Sequence, residues 1–303
     1  MDSKLKKVYI AGCGGMLGEA FYNIFSKYFT IRCSDKNNNE KWLTKLDFTD
    51  YEKYQDEVIN FKSDLLIHLG ALTDLEECEL NPEVTYLNNY KSVEYAVKIS
   101  NTINIPLIFI STAGIFDGKK DIYTDFDIPR PLSHYGKSKY LAEQYIEKNS
   151  KNFIICRAGW MMGGGPKKDK KFVNKIIKQI INGNKQLYIV EDKNGTPTYT
   201  YDFANQVLLL ITKNIRGKFN VVCEGLASRV EVTQEILKFF NIQKLIKIKK
   251  VNSDYFNEEY FATRPVSERL INSNLNSLSL NIMRNWKVCL REYLTKEYSQ
   301  LIK

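Results

Sequence analysis

Apolar residues fall in short runs separated by amphipathic stretches. Val8-Tyr9-Ile10-Ala11 is the first run, and it ends in glycines. A helical stripe follows at Leu17, Ala20, Phe21, Ile24 and Phe25. Phe29 to Cys33 reads as a second strand with an acid, Asp35, just beyond it. Leu65 to Leu69, Leu107 to Ile110 and Phe153 to Cys156 read as further strands, and Val93, Ala96 and Val97 share one face of a helix between them. Near-continuous apolar strands alternating with helices predict an α/β fold with a parallel sheet covered on both faces.

The second half is less regular. Phe172, Val173, Ile176, Ile177, Ile180 and Ile181 recur at helical spacing, and Gly183 stands where a C-terminal cap belongs. Ser228 with Glu231 predicts a capping box that opens a helix through Phe240. Leu245 to Val251 alternates apolar residues with lysine, as an exposed strand does. No repeat or Pro/Gly linker divides the chain, so the second lobe is expected to interleave with the first.

The chain's 303 residues, 44% hydrophobic and 26% charged, exclude whole-chain disorder and suffice for a large core. No apolar run approaches the roughly 18 residues of a membrane helix; Val207 to Ile211 is the longest. The N-terminal MDSKLKKVYIAG lacks the apolar stretch and cleavage site of a secretory signal. Six cysteines, at 13, 33, 78, 156, 223 and 289, form no CxxC pair, which suits reduced thiols in the cytoplasm. Two histidines, His68 and His134, are too few for a His-rich metal site, and no metal is expected. The formal charge of +9 carries no nucleic-acid recognition motif with it, so nucleic acid is not an expected partner. The densest basic cluster is Lys167, Lys168, Lys170 and Lys171.

Three motifs carry chemistry. Gly12, Gly15 and Gly18 give G-x-x-G-x-x-G spacing after a strand and before a helix, the context of a dinucleotide fingerprint. Glycines let the backbone approach a pyrophosphate, and a helix N-terminus favours its charge. Asp35, at the second strand's end, is placed to accept hydrogen bonds from an adenosine ribose. A carboxylate there repels a 2′-phosphate and favours NADH over NADPH; neighbouring Lys36 softens that preference. Second, Tyr135 is the only one of 19 tyrosines with a lysine four residues later, Lys139. On a helix the two share a face, and the ammonium is expected to lower the phenol's pKa and make it a general acid/base. Third, Ser111-Thr112 ends the fourth strand, where ligands bind in open α/β sheets.

These residues resemble an extended short-chain dehydrogenase/reductase, and within that superfamily the chain is most similar to dTDP-4-dehydrorhamnose reductases. The similarity runs nearly end to end. Gly12, Gly15, Met16, Leu17 and Gly18 match the glycine loop, and Asp47-Phe48 the acid-plus-apolar pair near the adenine. Gly70, Ala71 and Thr73 match the small-residue strand end, with Asn89 and Ser92-Val93 downstream. Ser111-Thr112 and Ile115 to Gly118 match the family's Ser-Thr segment and Phe-Asp-Gly turn. Trp160, the Asp192–Thr198 segment, Arg264-Pro265 with Ser267 and Leu270, and Trp286 resemble its later markers. Ala113-Gly114 stand where the family carries Asp-Tyr, which removes bulk and charge from the rim of the site; Gly163 to Gly165 are also particular to this chain.

The resemblance implies a Rossmann-like doubly wound sheet with a smaller interleaved C-terminal lobe. Residues 1–156 would form the NAD(P)-binding domain and 157–303 mainly the substrate lobe, with about 197–222 returning to the first domain. It implies NADH or NADPH as cofactor, held by Gly12, Gly15, Met16, Leu17, Gly18, Asp35, Asp47, Phe48, Gly70, Ala71, Asn89, Tyr135 and Lys139. Thr112, Tyr135 and Lys139 would be catalytic, and Thr73, Trp160 and Arg264 would hold a nucleotide-diphosphate sugar. The implied reaction reduces the 4-keto group of a nucleotide-linked deoxysugar for surface polysaccharide. An epimerase or dehydratase of the same superfamily and a non-catalytic regulatory subunit stay open. The implied protein is cytoplasmic, away from the membrane, and free to form a homodimer.

Overall fold

The structure, a computed structural model, describes residues 6–300; the expected domains' ends at 1–5 and 301–303 lie outside them. Strands β1 (Lys7–Ala11), β2 (Thr30–Asp35), β3 (Leu43–Lys45), β4 (Leu65–His68), β5 (Leu107–Thr112) and β6 (Phe153–Ala158) join with a late strand, Gly217–Val221, in one sheet. The order is Gly217–Val221, β6, β5, β4, β1, β2, β3, and every pair is parallel. β4 is buried along its whole length and β6 at all but its first residue, as a sheet covered on both faces requires.

One face packs on the helix Gly18–Phe25, whose stripe of Ala20, Phe21, Ile24 and Phe25 is buried as the periodicity predicted. The helix Thr200–Thr212 packs beside it through Phe203, Val207 and Leu210. Tyr54, Val58, Val93, Val97, Ala142 and Ile146 cover the opposite face. Each such buried side chain contributes roughly 1.5–3 kcal/mol relative to exposure.

Beyond β6 the chain builds smaller pieces. Trp160–Met162 pairs with Pro197–Tyr199, and Gln186–Val190 with Lys247–Val251. Ala227–Ser228 and Ser267–Glu268 flank Asn194–Gly195. The helix Phe172–Ile181 and the Gly183 turn at φ +83° stand where the stripe put them, and the Ser228–Glu231 capping box is formed. No helix among the described residues is long and apolar enough to cross a membrane.

Candidate active site

The sheet's order reverses between β1 and β4, so the loops leaving these strands diverge and open a crevice at their carboxyl ends. Gly12 adopts φ +82°, and a Cβ there would collide with the Gly70 backbone, so the two loops touch where they leave the sheet, before they diverge. A Cβ on Gly18 would collide with the Cys13 carbonyl, which fixes the turn into the helix. Gly15 has nothing within 4 Å of an added Cβ; its backbone lies open at the helix N-terminus. This cradle fits a dinucleotide pyrophosphate.

Asp35 does more than the sequence suggested. Its Oδ2 accepts from the Gly14 N–H at 2.9 Å and its Oδ1 from the Asn37 N–H at 2.9 Å. The carboxylate thus holds the glycine loop while keeping lone pairs for ribose hydroxyls. Gly14 was missed as a site residue, although it lies in the same motif. The GGG stretch abuts the loop: a Cβ on Gly164 would lie 3.0 Å from the Met16 Cα. Lys168 pairs with Glu40 at 2.8 Å and Lys171 donates to the Thr73 carbonyl at 2.9 Å, whereas Lys167 and Lys170 are exposed.

Phe48 packs under Gly70, leaving no room for a side chain there. Asp47 is exposed, and its Oδ1 accepts from both the N–H and the hydroxyl of Thr49. Asn89, brought in by a π-helical turn at Leu87–Lys91, clamps the Leu72 backbone: its Oδ1 accepts from Leu72 N–H at 2.7 Å and its Nδ2 donates to Leu72 O at 2.9 Å. Asn89 therefore shapes the loop carrying Ala71 and Thr73.

Thr112 ends β5, and its Oγ1 accepts from the Gly114 N–H at 3.1 Å. Tyr135 and Lys139 lie on the helix His134–Asn149, capped by Ser133. A Cβ on Gly136 would collide with the Gly114 carbonyl, so this helix seats tightly on the Thr112 loop. Burial pushes the Tyr135 phenol up to about 12, opposed by a hydrogen bond from Thr112. Burial pushes the Lys139 ammonium down to about 7, opposed by Glu143. Lys139 is not among the groups that move the phenol. The expected lowering of the tyrosine's pKa by its neighbour is therefore absent here: desolvation drives both groups towards neutrality.

Trp160 and Arg264, expected to hold the sugar nucleotide, each have a protein partner. Trp160 faces the cleft, and its Nε1 donates to Glu268 Oε2 at 2.8 Å. Arg264 is present, but Glu76 holds its guanidinium through two bonds at 2.7 and 2.9 Å. The guanidinium over Trp160 is instead that of Arg229, 3.7 Å from the ring centroid and 4.5 Å from that of Phe172. Burial lowers the Arg229 pKa to about 10, opposed by Glu268. Arg229 and Glu268 were both missed. The capping box placed Arg229 on a first helical turn, but only the pairing of the short strands aims it.

The model of the family described as RmlD substrate binding domain matches residues 6–299. The chain belongs to this family. The spore coat polysaccharide biosynthesis protein SpsK of Bacillus subtilis is 27% identical over 97% of this chain and 99% of its own. A crystal structure of a dTDP-4-dehydrorhamnose reductase from Clostridium acetobutylicum superposes with a TM-score of 0.87 at 27% identity, covering 96% of this chain and 99% of that one. The mouse methionine adenosyltransferase 2 subunit beta is 25% identical over 78% of this chain and 73% of its own. In this RmlD-family chain, Asp202, Cys223 and Cys289 form a buried cluster of metal-ligating type. Arg284 already holds both Asp202 oxygens.

Proposed function

We propose that this chain reduces the 4-keto group of a nucleotide-linked deoxysugar with NADH or NADPH, in the manner of a dTDP-4-dehydrorhamnose reductase, to supply a surface polysaccharide. The observation that carries this is the approach of Thr112 and Tyr135 to one point at Gly114, with Lys139 one turn along the Tyr135 helix.

A nicotinamide dinucleotide in the crevice supplies the hydride. It would be held by the open backbone at Gly15, the Met16-Leu17-Gly18 turn, Asp35, the Gly70–Ala71 strand end and Lys139. Tyr135, kept protonated by burial, is the acid that gives its proton to the carbonyl oxygen as negative charge develops there. Thr112 orients that oxygen. Lys139 supplies the positive charge that favours the phenolate left behind. Trp160 and Thr73 line the sugar's side. The six described cysteines are free and buried, which supports a reducing compartment such as the cytoplasm.

The test is loss of reduced-nicotinamide absorbance with dTDP-4-keto-6-deoxy-L-mannose, run with NADH and with NADPH. Tyr135→Phe will lower turnover by roughly 10²–10⁴-fold and leave cofactor binding intact. Wild-type turnover in that variant overturns the role of Tyr135. An epimerase or dehydratase would regenerate its cofactor and show no net oxidation, and a regulatory subunit would bind cofactor without turnover.

A further inference from the structure

Glu268 lies on the short strand Ser267–Glu268, held in parallel against Asn194–Gly195. Trp160 Nε1 satisfies its Oε2. Its Oε1 has no hydrogen-bond donor among the described residues. That oxygen lies 3.6 Å from the point where a Cβ on Gly114 would sit. Thr112 Oγ1 lies 3.5 Å and the Tyr135 ring edge 3.7 Å from the same point. The absent side chain at 114 thus leaves a space bordered by the two catalytic residues and one unsatisfied carboxylate oxygen.

A half-buried carboxylate becomes costly when a ligand covers it without offering a partner. Arg229, stacked on Trp160, feels the Glu268 carboxylate electrostatically, yet no ion pair joins the two among the described residues. Nor does any described group accept a hydrogen bond from the Arg229 guanidinium. The geometry leaves Glu268 Oε1 an acceptor facing the reacting centre. An ionised carboxylate accepts hydrogen bonds and donates none.

We propose that Glu268 reads the sugar: its Oε1 accepts a hydrogen bond from a donor, hydroxyl or ammonium, on the carbon next to the carbonyl that Thr112 and Tyr135 hold. This rests on the reductase reading above. A site built to satisfy such a donor rejects an analogue that lacks it, because the bound analogue covers the carboxylate and offers it no partner.

The experiment compares three dTDP-linked 4-keto-6-deoxy sugars, bearing at C3 a hydroxyl, an amino group or hydrogen. Each is assayed with wild type and Glu268→Gln, with NADH affinity as the folding control. Wild type will lose roughly ten- to hundred-fold in kcat/KM on the 3-deoxy sugar, the worth of one hydrogen bond to a charged group. Glu268→Gln will lose a similar factor on the donor-bearing sugar and will discriminate little between it and the 3-deoxy sugar. The better of the hydroxyl and amino substrates identifies the donor. Equal losses on all three sugars, or none, overturn the proposal while leaving the reductase reading intact. Wild-type protein that binds NADH but accepts none of the sugars overturns both. If Glu268→Gln fails to bind NADH, Glu268→Asp carries the same comparison.

Discussion

Binding of NADH at pH 8 will take up close to one proton, and Lys139→Met will abolish that uptake. Lys139 is 3% exposed, and its Nζ sits 4.1 Å from the centroid of the Phe109 ring. The acid one turn away, Glu143, is already committed to Arg157 through bonds of 3.0 and 2.7 Å. Burial therefore dominates and brings the ammonium from 10.5 down to about 7. At about 1.4 kcal/mol per pH unit, that displacement disfavours the charged form by on the order of 5 kcal/mol. Ribose hydroxyls arriving at Nζ give the ammonium acceptors and restore its charge. With a free-site pKa near 7, about nine in ten sites hold a neutral amine at pH 8 and about one in ten at pH 6. Uptake should be about 0.9 proton at pH 8 and about 0.1 at pH 6, and affinity should fall about tenfold per unit above pH 7. Calorimetric titration in buffers of unlike ionisation enthalpy reads this number directly. Uptake that is the same at both pH values, or that survives in Lys139→Met, refutes the reasoning.

Two further predictions concern the framework around the site. His68 is buried, with Tyr54 OH 3.1 Å from Nδ1 and Ser92 Oγ 3.2 Å from Nε2, and burial holds its pKa at about 3. The unfolded chain gains a proton below about 6.5 that the folded chain refuses until about 3, so stability falls as pH falls through that window, by about 1.4 kcal/mol per unit. Urea midpoints should show this slope, and His68→Phe should flatten it; an unchanged slope would remove His68 as its source. The Arg157–Glu143 pair has no side-chain exposure on either partner. Glu143→Gln should cost roughly 3–5 kcal/mol by stranding Arg157, whereas Glu143→Leu with Arg157→Met should recover most of it. A double variant no more stable than the single one in denaturant titrations would contradict this.

The sheet and the glycine loop were legible because their signals are local. An apolar run, a glycine turn and an amphipathic stripe lie within one stretch of 18 residues, Val8 to Phe25, and each agrees with the next. Tyr135 and Lys139 were legible because the helix fixes their relation. Arg264 was legible only as a cation: its partner Glu76 is 188 residues away, and no pattern in the chain announces that bond. Arg229 and Glu268 were hidden for the same reason. Each reaches the cleft from a two-residue strand or the turn beside it, and those strands exist only because Asn194–Gly195 lies between them. Asn89 was found by resemblance to a cofactor-binding pattern, yet its amide is spent on the backbone of Leu72.

The proposed catalytic pair, Tyr135 and Lys139, shows what spacing can and cannot carry. Four residues on a helix place the phenol and the amine on one face, and the structure keeps them there. Their charges do not follow from that adjacency. Lys139 is buried and Tyr135 half-buried, and desolvation outweighs their mutual effect: the phenol rises to about 12 and the amine falls to about 7. A protonated tyrosine is the form that reduction needs, since the carbonyl oxygen must receive a proton. Alcohol oxidation would need the phenolate, which desolvation and a neutral amine oppose. Glu268 adds to this bias, because a carboxylate near the phenol disfavours its ionisation. The site of the free chain is thus set for proton donation, and charge on Lys139 becomes available when its ligand arrives.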